Sequence, residues 1–156
     1  MKKKGLFIAI GVIVVAVIII ATILIFGKFT TKLSYTYEVN TGDKITLSLN
    51  TTDGYSMTQD MPFSITKDDG IISRGTFIEA SAYEVYESSM DLIDGIVNSD
   101  KGEKDGITYL YFNYNNTEFD YIIKINDSNT GLLLSNSISE ESAKEMFERL
   151  SFEIVK

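Results

Sequence analysis

Between Lys4 and Lys28 the chain runs for 23 residues, Gly5 to Gly27, with no charge and a single hydroxyl, Thr22. At about 1.5 Å per helical residue this stretch reaches roughly 34 Å. The hydrocarbon core of a bilayer is about 30 Å thick. In lipid a lone segment satisfies its backbone only as a helix, so the many Val and Ile residues do not argue against one. The apolar run is longer than the roughly 7–15 residues of a cleaved signal peptide. No small-x-small pattern marks its exit, Leu24-Ile-Phe-Gly-Lys-Phe29. The segment reads as an uncleaved, single-pass signal anchor that meets the lipid bilayer through Gly5 to Gly27. Lys2, Lys3 and Lys4 precede it and Lys28 and Lys32 follow it. The positive-inside rule therefore puts the N-terminus inside and the C-terminal part outside.

The expected organisation is a basic cytoplasmic tip at residues 1–4, the anchor at 5–27, a linker at 28–32 and one extracytoplasmic domain at 33–156. The part after the span has the length of one domain. It carries 11 basic and 22 acidic residues, a net charge of −11. That balance argues against nucleic acid and against flat adsorption to anionic lipid. Cys, His and Trp are all absent. Their absence excludes disulfides, thiol chemistry, histidine bases and Cys/His metal sites. No cofactor and no metal is expected, and the chain reads as no enzyme. Ile occurs 21 times, and Lys outnumbers Arg by 12 to 2. This bias resembles that of low-GC Gram-positive bacteria, so the expected location is the surface of such a cell.

Hydropathy alternates with period two over Leu33–Val39 and Ile45–Leu49, which predicts two strands. Tyr55–Met57, Phe63–Thr66 and Ile71–Ile78 read as three more. The period then changes. Ala82, Tyr86, Met90, Ile93 and Val97 form one helical stripe behind a Ser81-x-x-Glu84 capping box. This predicts a helix from Ala82 to Val97, followed by a polar loop over Asn98–Gly106. Ile107–Tyr114 is apolar on both faces and reads as a central strand. Phe119–Ile125 alternates, and Gly131–Leu134 continues the sheet. Ser139 as cap, with Ala143, Met146, Phe147 and Leu150 behind it, predicts a second helix. Phe152–Val155 closes as a strand. The expected fold class is α+β: a single N-terminal transmembrane helix plus an antiparallel sheet covered on one face by two helices.

The ending, Glu140-Glu-Ser-Ala-Lys-Glu-Met-Phe-Glu-Arg-Leu-Ser-Phe152, resembles the final helix and strand of small exported PsbP-like domains. The resemblance extends to element order over most of the outer domain. It implies a shared fold and no one chemistry. A second, local similarity involves Asn50, Thr51, Thr52, Gly54 and Tyr55. This stretch looks like the first loop of chagasin-type cysteine protease inhibitors, with the proline missing and Asp53 inserted. That similarity would make Thr51, Thr52, Gly54 and Tyr55 binding residues. The family's other two loops have no counterpart here.

Without histidine, hydrolytic chemistry would fall to carboxylates. Glu118 and Asp120 project from one strand face at roughly 7 Å spacing, within the range for paired-carboxylate hydrolysis. Asp100–Asp105 and Asp127–Gly131 are oxygen-rich turns that match no calcium-loop pattern. Tyr109, Tyr111 and Tyr121 are expected to share a sheet with Tyr35 and Tyr37. They form either a packed layer or an outward platform for glycans or peptides. The expected role is a non-enzymatic binding or accessory module at the cell surface, with an envelope protein or wall polymer as partner. The alternatives are a chagasin-like protease inhibitor and a carboxylate-dependent envelope hydrolase.

Overall fold

The computed structural model describes residues 31–156. The expected basic tip, the anchor and residues 28–30 of the linker lie outside the described residues. Among the described residues no helix is long and apolar enough to cross a membrane.

The described part is mainly strand, which corrects the α+β expectation. Ten strands run in the order β1 (Lys32–Glu38), β2 (Lys44–Asn50), β3 (Tyr55–Met57), β4 (Phe63–Lys67) and β5 (Gly70–Glu79), then, after helix α1 (Ser81–Ser89), β6 (Ile96–Lys104), β7 (Ile107–Tyr114), β8 (Glu118–Ile125) and β9 (Thr130–Asn136), and, after helix α2 (Glu140–Arg149), β10 (Leu150–Ile154). They form two antiparallel sheets rather than one. A three-stranded sheet has the order β1-β2-β10, and a seven-stranded sheet the order β3-β4-β5-β9-β8-β7-β6.

The helices do not share a face of the large sheet. Successive side chains of a strand point to opposite sides. On β8, Phe119, Tyr121, Ile123 and Ile125 point into the main core, with Ala143, Met146 and Phe147 of α2 and Ile45, Leu47 and Leu49 of β2. Thus α2 and the small sheet cover one side together. Ile122 points the other way, into a smaller cluster with Leu110, Phe112 and Tyr83 of α1. The alternating strand β8 is therefore buried on both sides along part of its length.

The first helix is shorter than its stripe predicts. It stops at Ser89, and a 3-10 turn over Met90–Leu92 follows. The Ser88 and Ser89 hydroxyls donate back to the Val85 carbonyl, a local bond that competes with helix continuation. Gly95 then takes φ +94, a left-handed conformation that ends the segment. The capping box is not made: the helix begins one residue earlier than that box requires, with Ala80 at the cap position and Ser81 already helical, and the Ser81 hydroxyl donates to Glu79.

The expected polar loop Asn98–Gly106 is mostly strand β6. It pairs with β7 from Ile96↔Tyr114 to Lys104↔Ile107. Asp105 and Gly106, both at positive φ, connect them as a two-residue hairpin, a conformation that Asp-Gly favours. The last helix follows its prediction. The Ser139 hydroxyl accepts from the Ser142 amide, and Glu140 and Glu141 occupy the first turn.

The two sheets are pinned at one end by Asp43. Its Oδ2 accepts from the Asn129 amide at 2.8 Å and from the Thr130 hydroxyl at 2.7 Å. This ties the β1–β2 turn to the β8–β9 turn.

A candidate tyrosine cleft

Cross-strand register sets up the most developed site. Tyr111 faces Tyr121, and Tyr109 faces Ile123, so these three tyrosines point to the α2 side of the large sheet. Tyr35 lies opposite Leu47 and Tyr37 opposite Ile45 in the other sheet, which corrects the expectation of one shared sheet. Phe147 descends from α2 onto the tyrosines. Its ring stacks on Tyr121 with centroids 4.3 Å apart and lies 4.8 Å from Tyr109. The Tyr111 ring closes the row, 5.0 Å from Tyr121.

These four rings floor a cleft of about 540 Å³. One wall is the exposed face of α2, where Glu140, Lys144 and Glu148 recur at four-residue spacing. The other wall is β6, through Asn98, Ser99 and Asp100. The walls are bridged at two points. The Asn98 amide donates to Glu140 at 3.3 Å, and Lys104 pairs with Glu148. The lining carries three carboxylates against one lysine.

The cleft depends on Gly102. A Cβ at that position would lie 2.8 Å from the Tyr109 oxygen and 3.0 Å from its Cζ. The Tyr109 ring therefore lies across bare backbone on β6. Burial is the largest cause of its raised pKa, and the neighbouring Asp100 and Glu148 carboxylates add to it.

Tyr111 is 4% exposed, and its Oη finds no hydrogen-bond partner among the described residues. A buried polar atom without a partner costs about 1–3 kcal/mol. Burial, reinforced by the charge of Glu140, pushes the Tyr111 phenol up to about 12. Burial raises Tyr121 further. All three rings are neutral at ordinary pH and offer π faces and hydroxyls, not phenolates.

The other residues singled out by sequence lie elsewhere. Asn50 to Tyr55 forms a tight turn held by Arg149. The Arg149 side chain is only 12% exposed. It donates to the Thr52 carbonyl at 3.0 Å and the Thr52 hydroxyl at 2.9 Å, and it pairs with Asp53 and Glu145 at 2.9 Å each. Its guanidinium carbon sits 3.9 Å from the centroid of the Tyr55 ring. Gly54 takes φ +84. Tyr55, the aromatic of the chagasin-like stretch, is thus buried beneath a cation, while Thr52 and Gly54 are exposed and Thr51 is half-buried.

Glu118 and Asp120 do line a common cleft, of about 340 Å³, with Arg74 and Ser135. Their environments differ. Glu118 is exposed and Asp120 half-buried. Burial raises the Asp120 carboxyl, the Ser135 hydroxyl opposes that shift, and Glu118 adds to it. The Asp120 Oδ1 has no hydrogen-bond partner among the described residues. A third cleft, of about 460 Å³, lies between β1 and β5 and includes Tyr37, Phe77 and Met61. Among the described residues no three Asp or Glu side chains converge as a metal site would require. The Asp100–Asp105 turn read from sequence is strand β6 and its hairpin.

The tyrosine row was visible in sequence as residues, but not as a site. Neither α2 nor β6 could be placed beside it, and Gly102 sat in an expected loop. Comparison with protein-family models, with curated proteins and with solved structures finds no match.

Proposed function

We propose that this chain is a membrane-tethered, extracytoplasmic binding module whose ligand site is the tyrosine cleft. The carrying observation is the aromatic floor of Tyr109, Tyr111, Tyr121 and Phe147 between two polar walls, with the Tyr111 Oη unpaired. An apolar floor with a few convergent polar groups is the usual anatomy of a ligand site. The tether rests on the 23 uncharged residues behind Lys2–Lys4, and the ligand is a component of the envelope. Protease added to intact protoplasts tests the tether, and the proposal expects digestion of the outer domain. A panel of wall glycans, peptides and polyamines, titrated while tyrosine ring signals are followed, tests the cleft. A panel that moves no cleft tyrosine contradicts the reading.

One observation favours a second reading, a carboxylate-dependent hydrolase. Asp120 is a half-buried acid with a raised pKa beside the exposed Glu118, the asymmetry that acid and base roles require. Hydrolysis of wall glycan that disappears in both Asp120→Asn and Glu118→Gln would establish it. Retention of any such activity in either variant would exclude it.

A further inference from the structure

We infer that the tyrosine cleft receives a protonated primary amine. This inference rests on the binding reading above and names the chemical class of its ligand. Three features converge on it.

First, the floor consists of aromatic faces, whose quadrupoles attract cations. The molecule already uses this interaction at the cleft's edge, where the Lys104 ammonium lies 5.3 Å from the Phe147 centroid. The Tyr111 ring deeper in the cleft has no cation over it among the described residues.

Second, the walls are acidic. Glu148 is paired with Lys104. Asp100 and Glu140, which line the opposite end with Asn98, make no ion pair among the described residues. Two carboxylates thus face an aromatic floor without a counter-charge other than Lys144.

Third, Tyr111, which lies opposite Asp100 in the β6–β7 register, keeps a buried Oη without a hydrogen-bond partner among the described residues. A phenol oxygen accepts from an ammonium N–H, and an ammonium carries three donors. An ammonium that pairs with Asp100 and Glu140 would sit over Tyr111, whose buried oxygen has no donor among the described residues. A neutral sugar would form no charge pair with either of these exposed carboxylates.

The amine has two sources, a lysine side chain of a peptide or a free polyamine. Full-length protein in neutral detergent is titrated with tri-lysine, with spermidine and with tri-lysine acetylated on all of its amines. Calorimetry gives the affinity, and tyrosine ring NMR gives the location. The expected result is binding of both amines with shifts at Tyr109, Tyr111 and Tyr121, and at least tenfold weaker binding of the acetylated peptide. Tighter tri-lysine binding assigns a peptide source and tighter spermidine binding a polyamine; either supports the inference. Tyr111→Phe, which keeps the ring and the fold, weakens binding at least threefold. Asp100→Asn with Glu140→Gln weakens it at least tenfold. Equal affinity for the acetylated peptide, or no loss in the doubly neutralised variant, overturns the inference. A neutral glycan such as N-acetylchitotriose that shifts the same tyrosines while tri-lysine does not also overturns it, but leaves the binding reading standing. Absence of tyrosine shifts with every probe overturns both.

Discussion

The ring of Phe147 lies 4° from parallel to that of Tyr121 with centroids 4.3 Å apart. This stack is where α2 meets the middle of the large sheet. Phe147 is buried and also touches Tyr109, so one side chain both closes the core and shapes the cleft floor. Phe147→Ala is expected to lower the free energy of unfolding by about 3–5 kcal/mol, the usual range for deleting a buried aromatic. Phe147→Leu, which fills more of the space, should cost less than half as much. Urea denaturation of both variants measures the difference.

Arg149 ends α2 and fastens the Asn50–Tyr55 turn. Its loss leaves the Thr52 carbonyl without this donor and uncovers the Tyr55 ring. Arg149→Met should therefore destabilise by about 2–3 kcal/mol. It should also speed amide hydrogen exchange at residues 52–54 more than elsewhere. Arg149→Lys should not restore the wild-type value, because a lysine lacks the planar fork that serves Glu145, Asp53 and Thr52 at once. Papain inhibition by the wild-type protein, lost on changing Thr51 and Thr52, would instead give this turn an inhibitory role.

Much of this fold could be read residue by residue. The alternation of Leu33–Val39 and Ile45–Leu49 marks β1 and β2 correctly, and Ser139 with Ala143, Met146 and Phe147 marks α2. Local pattern carries that information because strand and helix periods are local properties. Sheet membership is not local. β10 joins β2, with Phe152 opposite Leu47, across about 100 residues of chain, and nothing in either strand announces the partner. β6 was hidden for another reason. It is an exposed edge strand whose charged and polar residues look like a loop, as edge strands often do. The Asp105-Gly106 pair was its one legible mark. The cleft depends on β6, on α2 and on Gly102, so it cannot be assembled from sequence even though its tyrosines stand out there.

Asp120 gives a prediction with a definite sign. Burial raises its carboxyl above the ordinary value, so the native state holds this proton more tightly than the unfolded chain does. Linkage then makes the group's contribution fall as pH rises from the unfolded pKa of about 4 through the raised native value. Asp120→Asn removes that dependence. The variant should therefore be more stable than wild type at pH 7, and the gap should shrink as pH falls through the raised native value towards about 4 and stay level below that. Thermal melts of both proteins from pH 3 to pH 8 read this directly. A variant less stable at pH 7 would mean that the charged form is the one the fold favours.

If ligand enters the cleft floored by Tyr109, Tyr111 and Tyr121, a side chain at Gly102 should keep it out. A side chain at this position meets the Tyr109 ring, so Gly102→Leu obstructs the cleft while lying on an exposed edge strand, away from the main core. The decisive measurement is tyrosine ring NMR of the full chain during titration with tri-lysine, for wild type and Gly102→Leu in parallel. Shifts confined to Tyr109, Tyr111 and Tyr121 are expected in the wild type and their loss in the variant, with the Tyr35 and Tyr37 signals unmoved in both. Shifts centred on Tyr37, or shifts of equal size in the variant, would contradict binding in this cleft.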